Sequence, residues 1–210
     1  MSNGNLYSNI KPIILMKNLL IITCLLFAFN SNAQWISKTS CSKKAAMITN
    51  EAIESRLNVE PLIALGQAKA ALILDPNCGC AKILIAGLGS SNKDWGSRKE
   101  KLDGIDRSSL SGEEKAWYDI LIASDSQVKE KLNAALASYP SSPMFNYFSV
   151  GEDVNASIAF AEKFPNYASP ALNSITYGYG RGEDVTADYA KAIASKNRSI
   201  VLHDGPNIYD

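Results

Sequence analysis

The chain has 210 residues, 46% of them hydrophobic, with 21 basic and 21 acidic side chains and a single histidine. That length makes one or two domains with a real core. The balanced charge offers nothing like a phosphate-binding surface, so nucleic acid is not an expected partner.

The first 33 residues read as an export signal rather than part of the fold. Lys17 is followed by an apolar run, Leu19 to Phe29, and then by Asn30-Ser31-Asn32-Ala33. Small residues at Ser31 and Ala33 occupy the two positions a signal peptidase reads, which predicts cleavage before Gln34. The run is short of the ~20 apolar residues a permanent span needs, so no integral membrane segment is expected after cleavage. Met16 is the natural start of this signal, which makes residues 1–15 an over-extended start or a longer leading region. A second reading is a lipid anchor on Cys24, because Ile21-Ile22-Thr23-Cys24 is similar to a lipoprotein cleavage box. Thr23 departs from the small residue usual there, and signal cleavage ranks first. Both readings place the protein outside the cytoplasm, in the periplasm, on the cell surface or secreted. The part from Gln34 onward loses Lys11 and Lys17 and no acid, leaving 19 basic and 21 acidic residues and a net charge of −2.

Three cysteines follow the signal: Cys41, Cys78 and Cys80. In an oxidising compartment a disulfide is the first expectation. An antiparallel helix pair over residues 43–57 and 61–75 would set Cys41 beside Cys78 or Cys80, and the spacing does not choose between them. A metal site is not expected, because the one histidine, His203, is remote from the C-x-C pair.

Helical periodicity then continues along the chain. Ser42 to Leu57 carries Ala45, Ile48, Ala52 and Ile53 at helical spacing and ends near Asn58. Pro61 suits the first turn of a second helix running to Leu74. Helices are predicted over 80–87 and 93–102. Ser111 followed by Glu113 and Glu114 opens another, carrying Trp117 and Ile120. Asp125 is expected to cap a helix from Gln127 to Ser138. Pro143 to Val150 pairs with Val154 to Phe164, and Pro170 to Tyr179 with Val185 to about Leu202.

Two stretches repeat. Ser142-Pro143-Met144-Phe145-Asn146 returns as Ser169-Pro170-Ala171-Leu172-Asn173, and Gly151-Glu152-Asp153-Val154 returns intact at Gly182 to Val185. A two-part unit of fixed period marks a helical repeat array. Ala52, Ala64 and Ala71, followed by Pro76, resemble the small positions and closing proline of the tetratricopeptide repeat. The run Tyr177 to Ala192, with its Gly-x-Gly, resembles the related Sel-type repeat. The resemblance covers roughly Ser42 to Asp210. It implies an all-α fold, a right-handed solenoid of about four antiparallel helix pairs, with the first helix of each pair on the concave face. Gly205 to Asp210 reads as the opening of another first helix, which suggests a truncated array.

Chemistry is sparse. His203 has no nucleophile beside it, and no HExxH, Walker or calcium-loop pattern occurs, so neither enzyme activity, metal nor cofactor is expected. Glu152-Asp153 and Glu183-Asp184 fall at equivalent helix starts, where capping accounts for them. Aromatics in first helices are the binding candidates: Trp117, Tyr118, Tyr147 and Tyr177, with Asn146 and Asn173 positioned by the repeat to bond a peptide backbone. The expected function is that of an exported protein-interaction scaffold that takes a peptide or protein partner on its concave face. The alternatives are an accessory region of a larger exported enzyme, or a small-ligand- or glycan-binding envelope protein.

Overall fold

The computed structural model describes residues 34–88, 95–151 and 153–173 (backbone alone at 95–97), together with Gly182, Ala187 and Ala190. The chain divides into two units, Met1–Asn32 and Ala33–Asp210, and the described residues belong to the second. They are all-helical, with no strand among them: α1 Lys43–Leu57, α2 Pro61–Leu74, α3 Gly79–Gly87, α4 Trp95–Asp103, α5 Gly112–Ile122, α6 Asp125–Ser138, α7 Pro143–Val150 and α8 Val154–Lys163. None of the described helices is long and apolar enough to cross a membrane.

Each helix packs chiefly on its chain neighbours, and the odd helices also meet one another: α1 touches α3, and α3 touches α5. The α1–α2 seam is close because it is built from small side chains. Ala45 and Ala52 of α1 and Ala64, Ala68 and Ala71 of α2 are all fully buried. A larger side chain at any of them would wedge the backbones apart. The α1–α2 turn departs from expectation in one respect. Asn58 caps α1, but it is Val59 that takes the left-handed conformation, at φ 63°. A β-branched residue is strained there.

The helix starts follow local chemistry. Ser111 and Glu114 form a reciprocal capping box at α5. At α6 the boundary is one to two residues earlier than expected. Ser124, not Asp125, is the cap residue; its hydroxyl donates to Gln127 Oε1 at 2.9 Å, and Asp125 sits in the first turn. Asp153 accepts from the Ala156 N–H at 3.0 Å and caps α8.

The element that periodicity did not anticipate is the irregular segment 34–42, which is stitched across the helices. Trp35 and Ile36 are fully buried. The Ile36 N–H donates to Asn50 Oδ1 (3.0 Å), and the Asn50 amide donates back to the Ile36 carbonyl (3.4 Å). Trp35 meets Tyr147 and Tyr167 edge-on and lies parallel to Phe160, with centroids 6.0, 5.0 and 6.4 Å away. Two adjacent buried carboxylates of α5 hold the rest. Glu113 Oε2 accepts from the Ser37 N–H and hydroxyl (both 3.0 Å) and the Lys38 N–H (3.3 Å), while its Oε1 accepts the Ser142 hydroxyl (2.7 Å). Glu114 Oε1 accepts from the Cys80 N–H (2.9 Å) and the Ser40 hydroxyl (3.2 Å). Its Oε2 accepts from the N–H groups of Ser40 (3.0 Å) and Ser111 (2.7 Å). Buried carboxylates are tolerated only when their lone pairs are filled, and these two are.

Candidate functional site

A cleft of about 350 Å³ lies among α1, α3, α4, α5 and α7. Its wall is built from Ile53, Arg56 and Leu57 of α1, Leu84 and Gly87 of α3, and Arg98 of α4. Trp117 and Leu121 of α5, with Met144, Tyr147 and Phe148 of α7, complete it. The helical period explains the grouping. Ile53, Arg56 and Leu57 stand three and four residues apart, as do Trp117 and Leu121, and Met144, Tyr147 and Phe148, so each set shares a face. Gly87 adds no side chain to the floor, and a Cβ there would stand at ordinary contact, 3.5 Å, from Leu121 Cδ1.

The cleft is apolar and aromatic apart from its two arginines, and no Asp or Glu is among the described residues lining it. Arg98 Nε is buried without a hydrogen-bond partner. Glu54 stands on α1 between the cleft residues Ile53 and Arg56. Burial raises its carboxyl pKa, the Trp35 side chain lowers it again, and the Glu51 charge adds to the rise. Among the described residues no group of three or more His, Cys, Asp or Glu side chains could hold a metal ion.

The sequence-predicted residues divide. Trp117 and Tyr147 line the cleft together. Tyr118 does not; it is buried on α5, and burial followed by the Asp103 and Asp119 carboxylates raises its phenol pKa. Asn146 is committed within the fold. Its amide donates to the carbonyls of Pro140 (3.0 Å) and Ser142 (2.8 Å), and its Oδ1 accepts from Lys163 (3.0 Å). It therefore secures the start of α7 instead of facing the groove. Asn173 is buried, and Tyr177 lies outside the described residues. Periodicity placed Leu121 on the same helical face as Trp117, but it did not single out Arg56, Arg98 or Met144. For Arg56 a signal existed: it falls in phase with the apolar stripe Ala45, Ala52 and Ile53, where a solvated arginine would be out of place.

Cys41 and Cys78 form a disulfide that closes a 37-residue separation. Cys80 is a buried free thiol, its pKa raised well above the ordinary value by burial and then by the charges of Glu114 and Glu113. That environment makes it unreactive. A second apolar surface lies on α2, where Leu62 and Ile73 are more than four-fifths exposed.

No protein-family model matches the chain, and comparisons with curated proteins and with solved structures return no match.

Proposed function

We propose that the chain is an exported, non-enzymatic interaction module: a right-handed array of antiparallel helix pairs of the tetratricopeptide kind. Its cleft would receive an extended apolar segment of a protein partner. The observation that carries this reading is the composition of the cleft wall. Alternate helices α1, α3, α5 and α7 each contribute apolar or aromatic side chains to one continuous concavity. Preformed apolar clefts with a few polar groups are the usual form of a binding site. Export is supported by the Cys41–Cys78 disulfide, a bond that persists in oxidising compartments.

The test compares the wild-type chain with Gly87→Phe as bait in an envelope extract. The substitution adds a ring to the cleft floor at a helical position where a Cβ meets the described residues only at ordinary contact distance. A partner retained at stoichiometric level by the wild type and lost by the variant, with unchanged circular dichroism, supports the reading. Equal retention by both places the partner elsewhere and removes the cleft from the account.

A further inference from the structure

Resting on that reading of the cleft, we infer that its occupant is anionic: an apolar peptide segment carrying an Asp or Glu side chain whose carboxylate lies against Arg56 and Arg98. Two guanidinium groups line the same apolar cavity, and no described acid lines it with them. The ion pairs among the described residues are Lys99–Asp103 and Arg107–Asp119, so neither cleft arginine is paired with a described carboxylate. Arg98 Nε is already removed from solvent and donates to nothing.

A buried donor on a cation, unmatched in the free protein, is a strong selector for an acceptor that carries negative charge. Guanidinium presents a planar fork that fits a carboxylate with two parallel hydrogen bonds, and low-dielectric walls strengthen the attraction. Trp117, Met144 and Phe148 then require apolar groups on either side of the acid. A wholly apolar segment would bury the two cations without compensation, and a basic one would add repulsion. The cleft therefore selects by charge as well as by shape.

The experiment pans a random peptide library, displayed with blocked C-termini, against the full chain with its Cys41–Cys78 disulfide formed. Enriched sequences are then synthesised, and their affinities measured by fluorescence anisotropy. The expected result is enrichment of Asp or Glu flanked by apolar residues. Replacing that acid by its amide should weaken binding by at least about tenfold, the scale of a charge-assisted pair. Arg56→Gln and Arg98→Gln should remove most of the discrimination between acid and amide while circular dichroism stays unchanged. Enrichment of apolar peptides without acids, or equal affinity for acid and amide, overturns the anionic occupant and leaves the apolar cleft standing. Absence of any enriched peptide that Gly87→Phe excludes overturns both.

Discussion

Glu114→Gln is the most informative single substitution, because it preserves shape and changes only what the buried carboxyl can accept. Four donors converge on Glu114, two on each oxygen. With the new amide nitrogen at the Oε2 position, the N–H groups of Ser40 and Ser111 both face a donor. With it at the Oε1 position, the Ser40 hydroxyl can turn and accept, and only the Cys80 N–H is left facing a donor. The second orientation is cheaper and will be adopted. Its cost is one buried unsatisfied N–H, about 1–3 kcal/mol, plus weakening of the remaining bonds as the charge is lost, for about 2–4 kcal/mol in all. Glu113→Gln serves as the internal comparison. Its nitrogen can occupy the Oε1 position, facing only the Ser142 hydroxyl, which can turn and accept, so all three donors on Oε2 keep an oxygen. It should cost about 1 kcal/mol. Urea unfolding followed by tryptophan fluorescence reads both. A loss of about 3 kcal/mol moves the midpoint by roughly 1.5 M at an m-value of about 2 kcal/mol/M. Equal midpoints for the two variants, or a Glu114→Gln shift smaller than about 0.3 M on that slope, would refute the carboxyl's role as the anchor of segment 34–42.

Three further outcomes are expected. Replacing both Cys41 and Cys78 by serine releases a 37-residue closure and should cost about 4 kcal/mol on the chain-entropy account, measured as a lowered urea midpoint that reductant reproduces in the wild type. Glu54 has a folded-state pKa above its ordinary 4.5, so its favourable contribution is fully present below pH 4.5 and is lost as pH rises through the folded value. Glu54→Gln should therefore raise the melting temperature at pH 7 and leave it nearly unchanged at pH 4; no gain at pH 7 would contradict the burial assigned to that carboxyl. Val59→Gly should stabilise by up to about 1 kcal/mol, because relief of the left-handed strain outweighs the extra freedom glycine has in the unfolded chain. Thermal melting that shows a loss instead would mean Val59 contributes packing that its exposed position does not suggest.

Much of the helical framework was legible from one dimension. Helix formation is governed by neighbours three and four residues apart and by short-range caps, so Ala45 to Ile53, the Pro61 start and the Ser111–Glu114 box could be read directly. The α6 start was misplaced by the choice between two adjacent capping residues, Ser124 and Asp125, a difference that propensity does not resolve. Segment 34–42 was invisible because it has no period. Trp35 and Ile36 are buried by Asn50, Phe160 and Tyr167, partners 14 to 132 residues away in sequence, and nothing local announces such contacts.

The candidate site divides along the same line. Trp117 and Tyr147 could be proposed from sequence because both are aromatics in helices expected to line a concave face. Asn146 could not be excluded from the groove until its amide was found bonded to Pro140, Ser142 and Lys163. The choice between Cys78 and Cys80 needed tertiary structure as well: they are two residues apart at the start of α3, and only the path of 34–42 decides which thiol Cys41 meets. Sequence alone determined where helices form and which faces are apolar, because those are properties of a few neighbouring residues. Tertiary structure alone decided that Arg56 and Arg98, 42 positions apart, share one apolar cavity without a described acid between them. That juxtaposition depends on how whole helices pack, which no local interaction encodes.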